Sequence, residues 1–150
     1  MPHVLGVAAG ELGHPVPFGI LVESDDARRH AAEVIAFSGA RAGSTVVDII
    51  PGAAYWTRIF TGVVGPTGHV WAVWPAGAAA YAEKGKPALE ARGLANVSAV
   101  LDPAILTLDK PVDLVWTVQN YHDIPNKGGE AALAAFNAAV LKALKPGGTY

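Results

Sequence analysis

His122 and Asp123 are the residues whose types and adjacency could move a proton. An imidazole titrates near neutrality, and a carboxylate beside it can orient or charge it, so the pair is a candidate general base, with a loop hydrogen bond as the structural alternative. A second stretch with chemical potential is Asp48-Ile49-Ile50-Pro51-Gly52-Ala53-Ala54-Tyr55-Trp56-Thr57, where an acidic residue precedes a turn of small residues. Such a turn lets main-chain N–H groups approach a ligand closely, although an ordinary tight strand-to-helix turn has the same composition. The other histidines, at 3, 14, 30 and 69, show no i, i+4 pairing, so no metal site is expected. With no cysteine, thiolate zinc sites, thiol redox chemistry and cysteine nucleophiles are excluded. A Gly-x-Ser-x-Gly elbow, a Walker loop and an intact Gly-x-Gly-x-x-Gly are all missing.

Elements that could position these residues follow from the hydrophobic pattern. Residues 1–23, rich in Gly and Pro, read as an irregular arm, and residues 24–150 as one domain. Ser24 caps a helix with Asp25 and Asp26 in its first turn, Ala27, Ala31, Val34, Ile35 and Ser38 share its buried face, and Gly39 ends it. The β-branched and apolar run Thr45-Val46-Val47-Asp48-Ile49-Ile50 is a strand covered on both faces, stopped by Pro51-Gly52. A helix from Tyr55 to about Val64 turns Ile59, Phe60 and Val63 inward, and Gly65-Pro66-Thr67-Gly68 turns the chain into a second strand, 69–74.

The spacing predicts an alanine-rich helix over 77–92, kinked or divided at Gly85 and Pro87, then a third strand from Val97 to Leu101 and a fourth from Val112 to Val118. Leu133, Phe136, Val140, Leu141 and Leu144 mark the buried face of a last helix, which Lys142 and Lys145 complement and Pro146-Gly147-Gly148 terminates. Gly148-Thr149-Tyr150 begins a fifth strand. Strands alternating with helices imply right-handed crossovers and a three-layer α/β/α sandwich with a mainly parallel sheet.

Composition narrows the partners. A net charge of −2 leaves no electrostatic footprint for a nucleic-acid backbone, and no apolar run approaches a membrane span. A small-molecule ligand is expected. The start of the chain lacks the basic residues of a secretory signal, so a cytoplasmic placement is expected, with the periplasm or secretion left open.

From about Ser24 to Tyr150 the sequence resembles class I S-adenosylmethionine-dependent methyltransferases, and most of all a bacterial group of predicted methyltransferases carrying a Tyr-His-Asp segment. The resemblance rests on the Asp48–Trp56 stretch, on Val64-Gly65-Pro66-Thr67-Gly68-His69-Val70-Trp71-Ala72-Val73, on Asn120-Tyr121-His122-Asp123 and on Leu144-Lys145-Pro146-Gly147-Gly148. It implies a Rossmann-like methyltransferase fold of seven strands, so the C-terminal strands would be missing here and the exposed sheet edge could drive homo-oligomerisation.

The resemblance implies S-adenosylmethionine as cofactor, with Asp48, Gly52, Ala54, Tyr55, Trp74 and Asp102 around it, and Asn120 and Tyr121 lining the methyl-transfer site next to His122 and Asp123. Two departures stand out. Of three loop glycines only Gly52 is present, with Ile50 at the first position and Ala54 at the third. Trp74 stands where these enzymes usually place a carboxylate for the ribose hydroxyls; it would stack on adenine or fill a core. Asp102 could meet the adenine amino group or shape a turn next to Pro103. A nicotinamide-binding Rossmann domain is the enzymatic rival, and it too wants an acidic residue near Trp74. The expectation is a methyltransferase acting on a small molecule, the alternative a non-catalytic fragment of that fold serving as a binding or interaction module.

Overall fold

In a computed structural model, the chain is described over residues 29–102 and 107–150; the N-terminal arm and the expected cap at Ser24–Ala27 lie outside these residues. The elements run α1 (Ala31–Ser38), β1 (Thr45–Ile49), α2 (Tyr55–Val64), β2 (His69–Pro75), a 3-10 turn (Ala76–Ala78), α3 (Ala79–Glu90), β3 (Val97–Asp102), β4 (Val112–Thr117), α4 (Asp123–Ala143) and β5 (Leu144–Thr149). All strand pairings are parallel, in the order β3-β2-β1-β4-β5.

Alternation along the strands sorts the core into layers. Val46, Val70 and Leu114 meet Ile35 of α1 and Ile59, Phe60 and Val63 of α2. On the same side of β2, Ala72 and Trp74 pack beneath Ala82 and Leu89 of α3. Val47, Ile49, Val73 and Val115 face the other way, onto Phe136, Val140 and Ala143 of α4. Among the described residues, three helices thus cover one face and α4 the other, which is the expected α/β/α sandwich. Apart from Asp48, the interior of β1 is apolar on both sides, as a central parallel strand requires.

Several sequence expectations need correction. His30 takes a left-handed conformation (φ 50°), so α1 begins at Ala31 rather than running unbroken from Ser24. Gly39 does end it, at φ 74°. α3 continues through Gly85 and Pro87, and the Ala91 N–H still reaches Pro87 O at 2.9 Å, so one proline N–H is lost without dividing the helix. In α4 the break comes instead at Gly129 (φ 73°, ψ −176°).

Phe136, Val140 and Ala143, spaced i, i+4, i+7, form the buried stripe of α4, which turns Leu141 to solvent at 75% exposure. Leu144 is already extended, so Pro146-Gly147-Gly148 lies inside β5 and does not stop the helix. β5 pairs with β4 through Val112↔Leu144 and Leu114↔Thr149, with a register shift between. It carries Lys145 and Pro146, residue types that blunt pairing at a sheet edge.

Candidate functional site

β1 has β2 on one side and β4 on the other, so the crossovers diverge between β1 and β4, the place where open α/β sheets bind ligands beyond their strand C-termini. The loop leaving β1 there has an unusual backbone. Ile50, Gly52 and Ala54 have φ of 52°, 55° and 62°. Only glycine adopts this region freely, and for a β-branched residue it is strained. The expected cost at Ile50 is therefore incurred: alternate positions keep a glycine-type conformation although only one is glycine. The Ala54 N–H donates to Pro51 O at 2.8 Å, and Ala54 O accepts the Arg58 N–H at 3.1 Å, which closes the turn and starts α2. Among the described residues, a Cβ on Gly52 would meet nothing within 4 Å. The Ala54 methyl is buried in the α3 cluster.

Asp48 closes the base of this loop. It is 3% exposed, and its Oδ2 accepts the Thr57 hydroxyl at 2.7 Å. Burial pushes its carboxyl up to about 7, against the lowering influence of hydrogen bonds from the Thr57 side chain and backbone. The carboxyl therefore ties the end of β1 to the first turn of α2, whose N–H groups favour an acceptor there. Tyr55 lies edge-on to Trp56 at 5.0 Å and beneath the Arg29 guanidinium at 4.6 Å.

Other predicted site residues turn away from the loop. Trp74 is 1% exposed and packs as a core side chain against Gly85 of α3, the second of the two roles expected for it. Val73, Trp74 and Pro75, the last residues of β2, carry no acceptor side chain. The Asp102 carboxylate, 3% exposed, accepts the backbone N–H and the hydroxyl of Thr107. Tyr121 hydrogen-bonds Asn137 at 3.0 to 3.1 Å and packs near Phe136 and Tyr150, so its ring joins α4 and the end of β5.

Beyond β4, Asn120 does reach the loop. Its Nδ2 donates to Ile49 O at 3.3 Å and Ile50 O at 3.4 Å. His122 follows at the N-terminus of α4 with its side chain 66% exposed. Its Nε2 is 3.7 Å from Asp123 Oδ1, beyond hydrogen-bond range, and Asp123 Oδ2 accepts from Lys127 at 3.3 Å. The fold thus assembles the 50–54 loop and Asn120, with His122 two residues further along, while Trp74 and Tyr121 pack elsewhere and Asp102 bonds Thr107.

Sequence reasoning missed the left-handed Gln119 (φ 60°) and the aromatic stack behind Asp48, in which Trp116 lies 5.3 Å from both Trp56 and Phe60. The indole N–H groups of Trp56 and Trp116 are buried without an acceptor among the described residues. It also missed Asp113, which accepts the Thr45 N–H at 2.7 Å and the Lys145 ammonium at 2.9 Å. Burial alone would raise that carboxyl, and these partners outweigh it, holding it below the usual range. Asp113, the one charge within the apolar run Val112–Trp116, was the available signal. Among the described residues, no three His, Asp or Glu side chains converge as a metal site would need, and no helix is long and apolar enough to cross a membrane.

No protein-family model matches the sequence, and no curated protein sequence matches it. In structure the chain is similar to a SAM-dependent methyltransferase from Aquifex aeolicus, with a TM-score of 0.64 and 19% identity over 83% of this chain and 63% of that one. It is similar to precorrin-6y C5,15-methyltransferase from Geobacter metallireducens, with a TM-score of 0.58 and 20% identity over 78% of this chain and 57% of that one. A SAM-dependent methyltransferase from Thiobacillus denitrificans in complex with S-adenosyl-L-homocysteine gives 0.54 and 21%, over 80% and 45% of the two chains. The chain therefore spans between 45% and 63% of the length of these three. The fold is the Rossmann-like fold of class I SAM-dependent methyltransferases.

Proposed function

We propose that this chain binds S-adenosylmethionine across the β1–α2 loop and directs methyl transfer to a small molecule. The observation that carries this reading is the left-handed backbone at Ile50, Gly52 and Ala54, kept where two of the three residues disfavour it, at the point where the crossovers diverge. Bound there, the cofactor would supply a methyl group on a sulfonium, already activated for displacement. The chain's part is then chiefly positional. Gly52 gives the close approach, Asp48 and Thr57 hold the base of the loop, and Asn120 holds its β4 side. Where the acceptor carries a proton, the exposed His122 imidazole takes it on a ring nitrogen, without an orienting bond from Asp123.

The test is calorimetric titration with S-adenosylmethionine and with S-adenosylhomocysteine. Saturable binding of both is expected, and heats indistinguishable from dilution would remove the proposal.

One observation favours a second reading, that of a non-catalytic module of the same fold. The end of β2 carries no acceptor for a ribose diol, because Trp74 is committed to the core and Asp102 to Thr107. The residues present thus fit a cofactor at the β1 loop and not at the end of β2. Under this reading, neither cofactor form binds while the fold remains intact by circular dichroism.

A further inference from the structure

We infer that Asn120 is a positioning residue that holds Ile50 in its left-handed conformation, taking the place of glycine's conformational freedom at this point of the loop. Ile50 is the first residue beyond both ladders of β1, since Ile49 is the last residue paired with β2 (Val73) and with β4 (Thr117). On the β2 side its N–H continues the ladder, donating to Val73 O at 2.8 Å. On the β4 side the pairing ends at Ile49↔Thr117, and Gln119 then turns to φ 60°. Just past that point the Asn120 side-chain amide donates to Ile49 O and Ile50 O at 3.3 and 3.4 Å.

The Ile50 side chain adds a third hold, packing against both the α4 and α3 clusters. An outlier of this kind costs about 1–3 kcal/mol and persists only where its surroundings over-determine it. Peptide N–H, carbonyl and side chain of Ile50 are each engaged from a different element. Asn120 is the one of these holds made by a side chain from the loop after β4, which makes its contribution separable by mutation.

The consequence for ligand binding rests on the function proposed above; the conformational claim does not. Four proteins make the test: the parent, Asn120→Asp, Ile50→Gly and the double variant, with Ile50→Asn as a second relief variant should loss of the Ile50 side chain prevent folding. Aspartate keeps the size of Asn120 and removes both donors; Asn120→Gln keeps an amide and should retain more function than Asn120→Asp.

S-adenosylhomocysteine affinity should fall about tenfold on Asn120→Asp when residue 50 is isoleucine and less than about twofold when it is glycine or asparagine. An equal loss in both backgrounds would overturn the inference and place Asn120 on the ligand itself. If the parent binds no S-adenosylhomocysteine, the proposed function fails, and the same cycle is read on the melting temperature and on amide exchange at residues 50–54. Non-additive losses, larger with isoleucine at position 50, then support the positioning role, and additive ones overturn it.

Discussion

The Trp74 indole occupies the space that a Cβ on Gly85 would need, with Cζ2 2.7 Å and Cε2 3.2 Å from that position. The glycine of α3 and the tryptophan of β2 are therefore one packing unit. That unit explains both why a glycine sits in a helix interior and why the ring is not available at the ligand edge.

Gly85→Ala reverses its usual sign here. In an open helix interior the change gains about 0.5–1 kcal/mol, whereas overpacking a core costs about 1–3 kcal/mol. The variant should be less stable than the parent in urea denaturation, and Gly85→Ala should cost less in a Trp74→Phe background. Trp74→Ala should itself cost about 3–5 kcal/mol through the cavity it leaves. A stabilised Gly85→Ala variant would contradict the packing described.

Asp48 makes stability depend on pH in the opposite sense to an ordinary surface carboxylate. Its folded pKa, about 7, lies above its ordinary value of 3.8, so its stabilising contribution is complete below about pH 4 and is lost as pH rises through about 7. Asp48→Asn removes that dependence. Between pH 5 and 8 the stability of the parent should fall relative to that of Asp48→Asn by on the order of a few kcal/mol, read as a falling difference between their melting temperatures. His69, whose burial lowers its pKa, drives stability the other way, but it is present in both proteins and cancels in the difference. A constant difference across this range would mean that Asp48 is ionised throughout.

Gly52 separates backbone strain from obstruction. Its φ of 55° penalises a β-branched residue, and a Cβ there meets no neighbour among the described residues. Gly52→Val should cost about 1–2 kcal/mol of stability. Gly52→Asn, which tolerates the conformation, should cost less. Both should weaken S-adenosylhomocysteine binding in calorimetry if the ligand lies over the crest. Unchanged affinity in Gly52→Asn would move the ligand elsewhere.

His122 should be silent in stability and in cofactor affinity. With a 66% exposed side chain and no bond shorter than 3.7 Å to Asp123, His122→Gln should change stability by no more than about 0.5 kcal/mol and leave S-adenosylhomocysteine affinity unchanged. With a hydroxylic acceptor, turnover should then fall by about 10²- to 10⁴-fold at unchanged cofactor KM. A loss of cofactor affinity would assign His122 to the binding loop instead.

Much of this architecture was readable locally. The apolar run of β1, the i, i+3, i+4 pattern of α2 and the glycine that ends α1 are properties of short windows, and each formed close to where its pattern put it. Errors fell where local signals competed. Proline and glycine in α3 argued for a break, yet packing on β2 and β3 carried the helix through. The Pro-Gly-Gly after α4 argued for a stop, yet pairing with β4 drew it into a strand.

The sequence by itself determined the order of elements, the two-faced burial of β1 and the place of the loop after it, because hydrophobic period and turn chemistry act between near neighbours. Which way the end-of-strand side chains point was decided by the tertiary structure. Asn120 reaches Ile49 across 71 positions, Asp113 meets the Thr45 N–H across 68, and Trp74 turns inward because a helix presents Gly85 to it. A side chain at the end of a strand is satisfied by whatever the fold brings beside it, and that neighbour is set by strand order and crossover geometry, which no short window of sequence contains.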